Sequence, residues 1–295
     1  MASIVLGPWA SLLAVSVALA IQAVFFGDGG ITAFGANSFN MAIVGSLVSY
    51  AVYRVISGKS AITAARRVVA AGIAGYTAIN VSALLAAVEF GIQPLFYRDA
   101  SGAPLYAPYP LHIAIPAMMI GHLTIAGLAE LVLTAGVVAY LQRAEPTLLV
   151  ASAPGAVVAD ARPAPSGWRA TRPLWIALGI LLILTPLGIL AAGSAWGEWS
   201  PRDYDKAQTR QQMAAASGEQ APPAHAPRGL ERLASFWTAP MPGYAPPFLK
   251  SAGFGYMLSA MSGTGLIVIV TVTISGIARR LAPVEPPHTP GASSG

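Results

Sequence analysis

The 295-residue chain contains no cysteine, which excludes disulfides, thiolate metal sites and cysteine nucleophiles. Charge is scarce as well: Asp, Glu, Lys and Arg make up 10% of the residues, against roughly 25% in soluble domains. There is no Gly-x-x-x-x-Gly-Lys-Ser/Thr phosphate loop, no His-Glu-x-x-His pair and no Gly-x-Ser-x-Gly elbow. ATP hydrolysis by a phosphate loop and those two hydrolytic chemistries are therefore excluded. Nothing in the sequence marks an enzyme. Any metal ligand must be a histidine, methionine, amide, carboxylate or backbone group.

What the chain has is apolar length. Hydrophobic residues reach 55% and the mean hydropathy is +0.61, which predicts an all-α, polytopic integral membrane protein. Six stretches, near 4–26, 39–57, 66–91, 111–142, 173–193 and 254–278, are long enough to cross hydrocarbon, which needs about 20 residues. The fourth is too long for one straight crossing, and Pro116 near its start predicts a kinked or partly exposed helix.

The loops orient these spans. Arg54, Lys59, Arg66 and Arg67 lie between spans two and three; Arg143, Arg162, Arg169 and Arg172 lie between spans four and five; Arg279 and Arg280 follow span six. If spans alternate, all ten fall on one side, and the positive-inside rule makes it cytoplasmic, with both chain ends. The opposite loops at 27–38 and 92–110 carry one basic residue, Arg98. The +5 formal charge is thus membrane topology, not a nucleic-acid surface, since no aromatic interleaving accompanies it.

Composition divides the chain into residues 1–146, a Pro/Ala-rich cytoplasmic linker at 147–172, a two-span hairpin at 173–281 with a long outer loop at 194–253, and a disordered tail at 282–295. The outer loop is polar, with room for one short helix around 203–216.

Between spans one and two lies Gly27-Asp28-Gly29-Gly30, an acid-bearing turn that needs its backbone satisfied by protein or water. Its glycines permit positive φ, and Gln22, Asn37 and Asn40 bring amides to the same level. Gln22, Asp28, Asn37 and Asn40 could orient ligands of a metal pocket; equally, Asn37 and Ser38 could cap the helix that starts there.

Deeper in the membrane lie His122 and Glu130, ~80° apart around a helix and ~12 Å along it, so they share a broad face without touching. They read either as cross-helix pairing or as a cation pathway. Glu89 and His112 sit at the outer boundary. Small residues in span three (Ala70, Ala71, Gly72, Ala74, Gly75, Ala78) and in span six (Gly255, Ser259, Ser262, Gly263, Gly265) predict close helix packing.

With Gly7-Pro8-Trp9 upstream, and Tyr109-Pro-Leu, Pro116-Ala-Met-Met, Gly121-His-Leu, Glu130, Thr134 and Tyr140-Leu downstream, residues 1–146 resemble the CbiM/NikM family. These are substrate-capturing membrane subunits of energy-coupling-factor transporters for cobalt and nickel. Residues 173–281 resemble, more loosely, the small CbiN or PDGLE-type accessory subunit, through Thr185-Pro-Leu-Gly-Ile-Leu190, Ala195-Trp-Gly-Glu-Trp199 and Tyr244-Ala-Pro-Pro247. The resemblance implies high-affinity uptake of Co²⁺, or of Ni²⁺, for cobalamin synthesis or metalloenzymes, across the plasma membrane of a prokaryote. It also implies a CbiQ-like coupling subunit and CbiO-like ATPase subunits as partners.

Family members bind metal through the free amino terminus, a histidine after the initiator methionine and the histidine of a Gly-Thr-Ser-Gly-His motif. Here position 2 is Ala2 and that motif is missing, so no metal ligand carries over and an upstream segment is expected. The alternatives are a self-sufficient channel or secondary carrier using His122 and Glu130, or an inactive fragment.

Overall fold

The computed structural model describes residues 1–150, 152–153, 168–190, 199–244 and 246–281. Most of the expected linker (154–167), the tail 282–295, and Trp196 and Glu198 lie outside the described residues. Helix dominates, and the described residues contain no strand beyond an isolated Arg98–Pro104 bridge.

Five helices are long and apolar enough to span a membrane: α2 (Pro8–Phe26), α3 (Phe34–Ser57), α4 (Ala65–Phe96), α5 (Leu111–Ala144) and, in the second half, Ala252–Ile277. A shorter apolar stretch, Trp175–Leu187, occupies the fifth expected span. It lies mostly on α6 (Trp168–Leu184), which begins inside the region expected to be linker, and runs on into a 3₁₀ turn at Thr185–Leu190. The linker's first residues also depart from a free chain. Pro146–Leu149 forms a 3₁₀ turn, and Leu149, Ser152 and Ala153 are buried against the bundle.

The first expected span, 4–26, is broken at its start. Gly7 takes φ +79° and ψ 168°, which separates a short helix α1 (Ala2–Leu6) from α2, with Pro8 in the first turn of α2. Ile4 of α1 is fully buried with Tyr53, Leu141 and Leu149. The fourth expected span is one continuous helix, and its ladder widens to a π turn at His122–Ala126, six residues beyond Pro116. Two further π turns, Gln22–Phe26 and Ser38–Gly45, lie at the facing ends of α2 and α3. No local sequence pattern announces them.

α4 is the central element. Ala70, Ala71, Gly72, Ala74, Gly75 and Ala78 are buried along it, and two of them set its distance from α5. A β-carbon at Gly72 would lie 3.1 Å from the Leu131 carbonyl oxygen, and one at Gly75 would lie 2.9 Å from Thr134 Oγ1. Small residues at membrane helix crossings let backbones approach and gain dispersion contacts. The faces turned away from this crossing expose Val55, Ile120, Ile125, Val132 and Leu133, as a lipid-facing surface requires.

The turns sort by end. The short helix α1, the 58–64 turn and residues 146–150 and 152–153 gather at one end around Ile4, Ile62 and Leu149. The Gly27–Gly30 turn, the 97–110 loop and the described part of 199–251 gather at the other. The expected single helix at 203–216 is split into α7 (Pro201–Tyr204) and α8 (Ala207–Ala216), and a further helix α9 (Arg228–Ala234) follows. The last helix, α10, runs Ala252–Leu281.

One basic residue of the 54–67 cluster is structural. Arg67 is 1% exposed. Its guanidinium donates to the Ser60 carbonyl at 2.7 Å, to the Ala61 carbonyl at 3.1 Å and to the Tyr53 hydroxyl at 3.2 Å. Gln142 closes the same turn from α5, donating to the carbonyls of Ile62 and Ala64 at 2.7 and 3.0 Å. Truncating Arg67 strips donors from buried carbonyls, whereas Lys59 is exposed. Arg67→Ala is expected to destabilise the detergent-solubilised protein by roughly 3 kcal/mol, and Lys59→Ala by less than about 0.5 kcal/mol. Chemical denaturation monitored by tryptophan fluorescence checks the pair.

Candidate functional site

The six polar residues marked by the sequence separate into two groups. Gln22 and Asp28 meet at the Gly-rich turn. Asn37, Asn40, His122 and Glu130 line a single cavity.

At the turn, Gly27, Gly29 and Gly30 have φ of +69°, +69° and +67°, a region that side chains disfavour. Gln22 Nε2 donates to Asp28 Oδ2 at 2.5 Å, and the Tyr244 hydroxyl donates to the same carboxylate oxygen. Tyr244 also stacks on Phe26, with ring centroids 5.0 Å apart. Burial first, then the bonded Asp28 carboxylate, push the Tyr244 hydroxyl well above the usual tyrosine range. It therefore stays a donor at physiological pH. Nearby, the Trp237 indole donates to the Val24 carbonyl at 2.8 Å and the Met241 amide to the Phe25 carbonyl at 2.9 Å. The second half of the chain thus caps the open end of α2. A similar tie joins Trp199 Nε1 to the Tyr109 hydroxyl at 2.5 Å.

Asn37 does not cap a helix. α3 begins three residues earlier, at Phe34, with Ala33 at its cap, and Asn37 has helical φ and ψ of −60° and −41°. Its amide instead packs over Gly29, where a β-carbon would come within 2.5 Å of Nδ2. Asn40 sits in the second π turn, 3% exposed, and is tied twice to α4. Its Nδ2 donates to Glu89 Oε2 at 2.8 Å, and its carbonyl accepts from Ser82 Oγ at 2.8 Å. Glu89, expected to be merely interfacial, therefore joins α3 to α4.

His122 opens the third π turn, and its Nδ1 lies 2.8 Å from the Met118 carbonyl. Glu130 accepts from the Thr134 hydroxyl at 2.6 Å, and its Oε1 stands 3.6 Å from the Met1 nitrogen. The cavity they share, about 430 Å³ and open on one side, is lined by Met1 and by residues of α1 to α5, with Ser3, Ser11, Ser46, Ser49 and Ser82 among its walls. His112 and Glu89 do not line it. Among the described residues no three His, Asp or Glu side chains cluster as a ready-made metal site. The site residues that sequence reasoning missed are Tyr244 and the serines. Tyr244 had an available signal, its place in the Tyr244-Ala-Pro-Pro247 segment; isolated serines in apolar helices had none.

A multi-spanning bundle with a cavity between its helices, apolar over most of its wall but reached by Asn37, Asn40, His122 and Glu130, and a turn clamped from its own second half has the form of a membrane transport component. Residues 1–148 match the family described as cobalt uptake substrate-specific transmembrane region, and residues 171–280 match the PDGLE domain. The fused nickel transport protein NikMN of Rhodobacter capsulatus is 56% identical over 267 residues, which are 90% of this chain and 74% of that protein. The probable fused nickel transport protein LarMN of Lactiplantibacillus plantarum is 39% identical, over 93% of this chain and 74% of its own length. The cobalt transport protein CbiM of Geobacter sulfurreducens is 32% identical over 67% of this chain and 52% of its own. A solved transition metal transporter is 50% identical over 48% of this chain and 60% of that one, with a TM-score of 0.45. The chain belongs to the CbiM family, with a PDGLE domain joined to it. It is a membrane component of metal uptake and not an enzyme.

Two predictions follow from the turn. Gly29→Ala adds left-handed strain, roughly 1–2 kcal/mol, and drives a methyl into Asn37; Gly30→Ala adds only the strain, its nearest side-chain atom being 4.0 Å away. Gly29→Ala is expected to be the less stable by at least about 1 kcal/mol, read by thermal unfolding in detergent. Tyr244→Phe keeps the stack but loses the bond to Asp28, so exchange of the Met241 amide should quicken roughly tenfold. Because the hydroxyl's pKa is raised on folding, its contribution is complete below the ordinary value of 10.0 and is lost only above it. Wild-type exchange at Met241, corrected for the intrinsic rate, should therefore be flat from pH 6 to 9, and hydrogen–deuterium exchange measures both effects.

Proposed function

We propose that the chain is the substrate-specific component of an energy-coupled uptake system for Ni²⁺, with Co²⁺ as the second substrate. The observation that carries nickel is the likeness to fused proteins named for nickel transport, over 90% and 93% of this chain and through both its halves. The sequence alone put cobalt first, and the family description and the Geobacter relative keep it in view. Nitrogen and oxygen donors suit either ion, and the two differ little in ligand preference.

In this reading the chain crosses the plasma membrane of a prokaryote with both ends cytoplasmic. The Gly27–Gly30 turn and the 199–251 region then face outward, where metal arrives. Residues 1–146 form the capture module, residues 173–281 the accessory hairpin, and residues 147–172 join them. The chain has no phosphate loop, so energy comes from a CbiQ-like coupling subunit and CbiO-like ATPases. The clamp of Trp237, Met241 and Tyr244 supports a direct role for the accessory half in shaping the outer turn.

A second reading is favoured by one observation: His122 and Glu130 line the same cavity, as a self-sufficient carrier would need. Cells lacking their own nickel and cobalt uptake, producing the chain with the coupling and ATPase subunits, decide between them. Radiolabelled Ni²⁺ accumulation is expected, competed by Co²⁺ and falling at least tenfold when the ATPases are omitted. Accumulation that persists without them favours the carrier, and none under any condition overturns both readings.

A further inference from the structure

We infer that residues 228–237 are an interfacial anchor, seated in the headgroup layer of the membrane that the chain spans, with lipid phosphates as the partners of Arg228 and Arg232. The anchor belongs to the second half of the chain and is independent of the ion carried.

The depth of this segment is fixed by α2. That helix covers 19 residues, Pro8–Phe26, about 28 Å of rise, close to the roughly 30 Å of the hydrocarbon. Its last turn therefore stands at the hydrocarbon boundary. Trp237 donates its indole N–H to the Val24 carbonyl at 2.8 Å, and the Met241 amide donates to the Phe25 carbonyl at 2.9 Å. Between them Ala239 sits against Gly27, where a β-carbon would lie 3.2 Å from the Ala239 methyl. Residues 237–241 thus run beside the end of a spanning helix rather than above it. Val24 is two residues short of that end, about 3 Å, whereas the headgroup layer is roughly 5–7 Å thick on each side.

At this depth the segment is bare. Every residue from Glu231 to Thr238 is exposed, and α9 buries none of its residues. The run includes Leu233, Phe236 and Trp237, with Phe236 71% exposed. Three large apolar side chains within eight exposed residues form a patch that marks a contact surface. A protein partner would have to reach this patch at the level of the last turn of α2, where lipid already stands. Trp237 has its N–H satisfied by protein while nearly half of the residue stays open, the amphipathic arrangement that tryptophan adopts in interfacial belts.

Charge agrees. Arg228 and Arg232 stand one turn apart on α9, so they share one side of it. Neither forms an ion pair among the described residues, although Glu231 lies between them. Leu233 is about 100–140° around the helix from them. A helix lying in the interface has this division, with its apolar side toward the acyl chains and its cations at the phosphates. The planar guanidinium fork suits phosphate oxygens, and its apolar stem can lie along the boundary below them. Trp237, which ends the anchor, also makes the first contact of the clamp on the Gly27–Gly30 turn. Lipid therefore helps to hold Met241 and Tyr244 against that turn.

The chain has no cysteine, so single nitroxide labels can be placed through Leu233→Cys and Phe236→Cys in the full chain, reconstituted in phosphatidylcholine–phosphatidylglycerol vesicles. Ile125→Cys, at a position 81% exposed within α5, is the lipid reference, and Gln211→Cys, exposed on the polar helix α8, is the water reference. Power saturation with oxygen and with chromium oxalate reads depth as the ratio of the two accessibilities. At both 233 and 236 this ratio is expected to exceed that at Gln211 at least threefold, toward the value at Ile125. Adding Arg228→Gln and Arg232→Gln to the chain labelled at 236 should lower its ratio at least twofold. All these positions are exposed, and thermal unfolding checks that each labelled chain is folded. A water-like ratio at either 233 or 236 overturns the anchor and leaves the patch to a protein partner. Low accessibility to both reagents also overturns it, because protein then covers the segment. A ratio unchanged in the double arginine variant overturns the assignment of lipid phosphates as partners.

Discussion

A backbone carbonyl released from its helical partner inside hydrocarbon has no water to turn to, and the positions of the functional side chains follow from that constraint. Three helices open into wide π turns, and at each the structure supplies a donor from another element. Trp237 and the Met241 amide serve Val24 and Phe25 at the end of α2. Ser82 serves Asn40 in α3, and the Tyr76 hydroxyl serves Leu123 in α5 at 2.9 Å. A π turn rotates the side chains that follow it relative to a regular helix, and such turns recur at functional sites. Gln22, Asn40 and His122 all lie in these turns. The cost of opening the ladder is met by these donors; those from α4, Ser82 and Tyr76, also fix where α3 and α5 stand around it, while residues 237–241 hold the end of α2.

α4 can do this because it presents almost no bulk. Gly72 and Gly75 bring α5 within contact of its backbone, which carries Glu130 and Thr134 onto its surface. From the other side, Ser82 and Glu89 hold Asn40. The cavity is the space left where α3 and α5 are both tied to α4 but not to each other. At the opposite end, Arg67 and Gln142 draw the 58–64 turn tight against the bundle.

The all-α spanning architecture was legible because 20-residue apolar runs leave a bundle of helices as the economical solution. The small-residue face of α4 was legible for the same kind of reason: Gly and Ala at helical spacing have few other uses in a membrane span. Four of the six marked residues line one cavity, since polar side chains in hydrocarbon must turn inward. The break at Gly7, the π turns and the helical Asn37 were not legible. Each depends on a partner distant in sequence, and neither propensity nor periodicity encodes the presence of Tyr76 opposite Leu123 or of Tyr244 opposite Asp28. The structural role of Arg67 was hidden for a related reason. A basic residue in a loop cluster is ordinarily solvated, and only three-dimensional proximity reveals the carbonyls of Ser60 and Ala61 that bury it.

The two polar groups, separate as sites, are mechanically continuous. Tyr244 holds the carboxylate of Asp28, Asp28 is bonded to Gln22, and the next residue in the turn begins the link to the cavity: Gly29 lies directly beneath Asn37. A turn of three positive-φ glycines has little stiffness of its own, because glycine has the widest choice of backbone conformations. Its shape is therefore set by what is attached to it, and the attachments on its outer face come from residues 237–244. Displacing that segment would free the Val24 and Phe25 carbonyls, relax the turn and remove the surface on which Asn37 rests. Joining the two halves in one chain raises the effective concentration of the clamp. That accounts physically for a contact built from three isolated bonds and a ring stack, where a separate subunit would need a larger surface to stay bound.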